Sequence, residues 1–125
     1  MVLAEKIVTA IQRGTANTRW REGADIYLLS GRHEIDGTQL HRSLVTVAAH
    51  RGAAMTPLSE VLAGYVELAQ IRWAAWVRKQ RLGDRLPSDL GELLAVMIAF
   101  ADPALVDEVD DLTWIPTERA WIRFR

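Results

Sequence analysis

The residues best suited to chemistry lie near the start of the chain. Lys6, Arg13, Arg19, Arg21, Glu22 and Asp25 fall within one short stretch. Helical geometry puts Arg21 and Asp25 on one face at i, i+4, and a lysine turned away from the apolar stripe Leu3, Ile7, Ile11 is free to meet a charged partner. The plainer reading is an exposed, salt-bridged pair of helices, with each pair contributing less than about 1 kcal/mol. Trp73 and Trp76, flanked by Arg72, Arg78 and Lys79, have the types for stacking bases and gripping phosphates, although a tryptophan pair at helical spacing is more often core with a wet edge. Other chemistries find no support. His33, His41 and His50 are eight and nine residues apart, not the i, i+4 arrangement that aims two imidazoles at one metal, and read as solvent-facing or helix-end residues. The chain contains no cysteine, no Gly-x-Ser-x-Gly elbow and no glycine-rich phosphate loop.

These residues must be positioned by helices, because apolar spacing is helical nearly throughout. Leu3, Ile7, Ala10 and Ile11 define a first helix over residues 2–13, ended by Gly14, and Trp20, Ala24, Tyr27 and Leu28 mark a second over residues 20–32. Asp36 followed by Gln39 starts a third over 37–51, which Gly52 stops. Thr56 and Pro57 read as N-cap and first helical residue, and the pattern then continues to Arg81 with a break expected between Gly64 and Ala69. Asp89 starts a last long helix, closed by Pro103, followed by a short helical turn over 104–109 and a tail from Thr113 that forms a hairpin or strap. The long helix should pack against Leu40/Leu44 and Ile71/Trp73/Val77.

The expected fold is therefore all-α, a bundle of about six helices with a short extended or hairpin tail. Residues 1–125 form a single helical domain: site-bearing helices in 1–33, bundle core in 34–103 and tail in 104–125. Half the residues are hydrophobic and a quarter charged, with 15 bases against 16 acids, which excludes a disordered chain and a uniformly basic nucleic-acid binder. The balance is local: residues 70–86 carry five bases and one acid, whereas residues 87–118 carry eight acids and no base. The longest run without charge, Leu93 to Ala101, is about half a membrane span, so the chain is expected to be cytoplasmic with no membrane partner.

The segment LAEKIVTAIQRGTANTRWREGADIYLL resembles the part that follows the catalytic half in AbiEii/AbiGii-type nucleotidyltransferase toxins of bacterial toxin–antitoxin systems. Ala4, Glu5, Lys6, Ala10 and Arg13 carry the first part of the likeness, and Arg19, Asp25, Leu28 and Leu29 the second. Arg21 and Glu22 depart from it, standing where the family usually has Lys and Asp. The stretch from IRWAAWVRKQRL to LPSDLGELLAVMIAFADPAL is similar to the family's C-terminal helices, so the likeness spans residues 3–105.

The resemblance implies transfer of a nucleotide from a nucleoside triphosphate (NTP) to an acceptor such as tRNA, with Mg²⁺ neutralising the phosphates. It makes Lys6, Asp25 and Glu22 the catalytic candidates, and Lys6, Arg13, Arg19 and Arg21 the nucleotide and phosphate contacts. The family's metal-binding carboxylates follow a Gly-Ser element on the first half, and only five residues precede Lys6. The expectation is a chain that is inactive alone and holds no metal or cofactor itself. Mg²⁺ and NTP then belong to the complete enzyme, and the partner is the missing catalytic half or an antitoxin protein. An apolar patch on the first two helices, where that half would dock, should be exposed. The alternative is a free-standing helical module that binds an antitoxin-like protein or RNA through its basic middle.

Overall fold

The computed structural model describes residues 2–16 and 20–124. In chain order it contains α1 (Val2–Arg13), a 3₁₀ turn, α2 (Arg21–Ser30), β1 (Ile35–Asp36), α3 (Gly37–Arg51), α4 (Leu58–Val61), α5 (Tyr65–Lys79), α6 (Leu90–Leu105), β2 (Thr113–Ile115) and β3 (Ala120–Ile122). The fold is mostly helical, as the apolar spacing predicts, but not all-α. The expected tail hairpin is β2–β3, and β1 joins it to make an antiparallel sheet in the order β1-β2-β3. Two residues of strand are too few to show any alternation, so β1 leaves no mark in the sequence.

α1 buries Leu3, Ala4, Ile7, Val8 and Ala10 against α2, α3 and α4. The stripe expected to lie exposed is therefore covered: Leu3 and Ile7 are buried, and Ile11 packs half-buried on the same core. The physical reason is that α2 and α3 themselves supply the surface that the stripe needs. α6 lies centrally and packs on α2, α3 and α5. Leu40, Leu44, Trp73 and Val77 are buried on the helices that pack against it, as expected, whereas Ile71 is 86% exposed. Buried Tyr65, Ala69, Trp73 and Val77 repeat every four residues, and Ile71, two residues from Trp73, is turned about 200° away.

Helix ends follow local chemistry in places and tertiary contacts in others. The Asp36 carboxylate accepts from the Thr38 amide at 3.2 Å, and Gly52 closes α3 in the left-handed region. The break before α5 lies at Leu62–Gly64, just ahead of the expected window, with Gly64 at φ 81° as the residue preceding the helix. Pro57 takes the N-cap position of α4, not the first helical position, and Thr56 does not cap it. The cap comes from α6: the amides of Leu58 and Ser59 donate to the two Asp102 carboxylate oxygens at 2.6 and 3.1 Å. Asp102→Ala should consequently cost about 1–2 kcal/mol in urea unfolding, the effect of losing a helix cap. An unchanged midpoint would contradict this role.

Pro103 does not close α6, which runs two residues further and absorbs the start of the turn expected at 104–109. Proline removes the donor that would meet the Ala99 carbonyl. Burial of Ala101, Ala104 and Leu105 holds the last turn in place, and the His41 Nδ1–H donates to the Ala104 carbonyl at 2.6 Å. His41 is thus a half-buried clasp between α3 and α6, unlike exposed His33 and His50.

Candidate functional site

Lys6 and Asp25 meet. The apolar face of α1 turns inward, which leaves Lys6 on the flank nearest α2, where Asp25 occupies the matching flank. The Lys6 Nζ lies 2.7 Å from the Asp25 Oδ2, and each side chain is about a quarter exposed (25% and 26%). A pair this accessible contributes about 1 kcal/mol or less to stability. Its interest is chemical: the ammonium has three donors, and one is spent on Asp25. Among the described residues the remaining donors have no partner, and the side chain is in part open to solvent. Asp25 holds the flexible lysine stem in one place, which reduces what is lost on binding.

The other sequence candidates scatter. Arg13, two turns after Lys6 on the same side of α1, is half-buried with no ion pair among the described residues. Arg21 does not join Asp25, although their spacing permits it; its guanidinium lies 5.9 Å from the Trp76 ring centroid. Glu22, one turn before Asp25 and half-buried, likewise has no ion pair among the described residues. Arg19 lies outside the described residues. Trp73 is core, its indole N–H donating to the Pro87 carbonyl at 2.9 Å, and Trp76 stacks on it at 5.5 Å with one edge wet.

Arg51, which sequence reasoning did not single out, braces the outer side of α1. Its guanidinium donates to the Thr9 hydroxyl at 2.7 Å and approaches the Glu5 carboxylate at 3.6 Å. Nothing in the pattern near Arg51 marks it, because its partners are more than forty residues away. An apolar cavity of about 20 Å³ is lined in part by Trp20, Gly23, Tyr65, Trp73 and Met97. That is room for one water at most and no nucleotide. Burial pushes the Tyr65 hydroxyl up to about 12, so it stays neutral across the physiological range.

The described arrangement thus joins the lysine of one sequence segment to the aspartate of the next across a helix–helix contact. A family model for the nucleotidyl transferase AbiEii toxin of a type IV toxin–antitoxin system matches residues 1–112. The chain belongs to the AbiEii toxin family. No curated protein and no solved structure matches it. Asp25 is engaged by Lys6, and among the described residues no three His, Asp or Glu side chains converge as a metal site. No helix among the described residues is long and apolar enough to cross a membrane.

Proposed function

We propose that this chain supplies the Lys6–Asp25 part of a nucleotide-transfer site, in a reaction that passes a nucleotide from an NTP to an RNA acceptor such as tRNA. The observation that carries the proposal is the 2.7 Å contact between two residues 19 positions apart, both in the segment that resembles the family. Lys6 contacts the triphosphate as a point charge, and Asp25 orients Lys6 until the phosphate arrives. Arg13 lies along the same side of α1, within reach of an extended polyphosphate. Carboxylates for Mg²⁺ come from the family's Gly-Ser-bearing half, which is supplied as a separate segment in the test below, and residues 1–125 by themselves do not transfer nucleotides.

Incubating the chain with labelled NTPs, Mg²⁺ and total tRNA is expected to leave the RNA unlabelled. Adding the separate segment should restore labelling, and Lys6→Ala should then reduce it at least about ten-fold, the usual effect of losing a hydrogen bond to a charged group. Labelling by the chain alone that disappears in Lys6→Ala would overturn the division of labour. Restored labelling indifferent to Lys6 would overturn the role of the pair.

A second reading has its own observation. Leu3 and Ile7 are covered by the chain's own helices, which favours a free-standing module that binds an antitoxin-like protein or RNA through exposed Arg72, Arg78, Lys79, Arg81 and Arg85. Light scattering separates the two: a monodisperse monomer that the separate segment leaves unchanged favours the module, and a stable complex with that segment favours the enzyme part.

A further inference from the structure

A second charged feature lies away from the Lys6–Asp25 pair and depends on neither reading above. Three arginines from three distant parts of the chain face one open cleft of about 280 Å³: Arg32 just after α2, Arg85 in the turn between α5 and α6, and Arg119 in the β2–β3 turn. Tyr27, Leu28 and Gly31 form the rest of its lining. None of the three guanidinium groups has a carboxylate within 4.0 Å or a hydrogen bond among the described residues. Like charges gathered without a counter-ion repel one another, and a bound anion reverses that cost.

Arg119 sets this cleft apart from an ordinary solvated basic surface. Its φ is +47°, a left-handed conformation that side chains other than glycine and asparagine rarely adopt. Its guanidinium lies over the Tyr27 ring, 4.3 Å from the centroid, which fixes the plane of the group. Gly31 makes room for it: a Cβ there would stand 3.1 Å from the Arg119 Nη2. Among the described residues the buried Arg119 Nη1 has no hydrogen-bond partner. The guanidinium therefore lacks an acceptor, which an oxyanion in the cleft can offer to the edge of the group that faces it.

We propose that this cleft binds the phosphate group of a phosphoester ligand. Planar guanidinium forks match phosphate oxygens two at a time, and three of them suit a dianion or a bridging diester better than a single carboxylate. Tyr27 and Leu28 give the attached sugar an apolar wall. The phosphate can belong to a free nucleotide or to the backbone of a polynucleotide.

The test is amide NMR titration of the chain with inorganic phosphate, ATP and a ten-residue oligouridylate as separate probes. Saturable shifts at Tyr27, Leu28 and Gly31 are expected. ATP alone producing tight binding identifies a free nucleotide, and tight binding of the oligouridylate identifies a polynucleotide backbone. Arg119→Gly should abolish the shifts while keeping the turn, because glycine adopts φ +47° without strain. The exposed double variant Arg32→Gln/Arg85→Gln should weaken the tighter of the two organic probes at least about ten-fold. With the oligouridylate its salt dependence should also fall by about 0.7 per lost contact. Absence of shifts in the wild-type chain, or shifts that persist in Arg119→Gly, would overturn the proposal.

Discussion

Trp114→Ala should destabilise the folded chain by about 3–5 kcal/mol, the usual cost of removing a large aromatic side chain from a core. Trp114 is fully buried at the middle of β2, paired with Ile35 of β1 on one side and Trp121 of β3 on the other. Its ring meets Phe100 edge-on at 4.9 Å and Trp121 at 5.6 Å, while Phe100 and Trp121 stack at 5.6 Å. Its indole N–H donates to the Ser30 carbonyl at 2.8 Å, which ties the sheet to the end of α2. Alanine at this position leaves a cavity, an unpaired carbonyl and a hairpin without its anchor. Domains of this size are stable by about 5–15 kcal/mol, so a large share of the total is at stake. Urea unfolding followed by far-UV circular dichroism measures it, since with five tryptophans fluorescence would mix signals. A loss below about 1 kcal/mol would show that the sheet is an appendage and not part of the core.

Gly37→Ala should cost about 3 kcal/mol, the upper end of what overpacking a tight site does. Gly37 opens α3 beneath the loop that leads to β2, and its amide donates to the Leu112 carbonyl at 2.8 Å. An added Cβ would stand inside van der Waals contact with the Val109 carbonyl oxygen, 2.8 Å from the Val109 Cβ and 2.9 Å from the Leu112 carbonyl oxygen. Backbone atoms cannot swing aside as a side-chain end can, so either the loop lifts or α3 starts later. Gly83 is the matched control: a Cβ there meets nothing within 4 Å, and Gly83→Ala should leave the unfolding midpoint within about 0.5 kcal/mol of wild type. Equal behaviour of the two variants would remove the argument from close approach.

Part of the candidate site was legible from spacing. Lys6 had to face away from Leu3 and Ile7, and Asp25 away from buried Ala24, so the two could meet wherever α1 and α2 packed side by side. Arg21 shows the limit of the same logic. Its i, i+4 spacing to Asp25 allowed a pair within one helix, but Lys6 took the carboxylate and Arg21 turned to Trp76. Which of several permitted charge pairs forms depends on how neighbouring helices sit, and no single helix contains that information. The Arg119 cleft was illegible for the same reason, since its three cations are separated by 53 and 34 residues.

The sequence alone determined which segments are helices and, Ile71 apart, which faces they bury, because the 3.6-residue repeat of apolar side chains, the starts at Asp36 and Asp89 and the stops at Gly14 and Gly52 are local properties. It also carried the family likeness. Only the tertiary structure decided where α4 starts and how α6 outlasts Pro103, since the cap on α4 belongs to Asp102 and the last turn of α6 is held by burial and by His41. It likewise decided that Ile35 and Asp36 form a strand, because a two-residue strand exists only as the partner of another, and that the stripe of α1 is covered. Periodicity names the face a helix must bury. Which surface covers that face is settled only when all the helices pack at once.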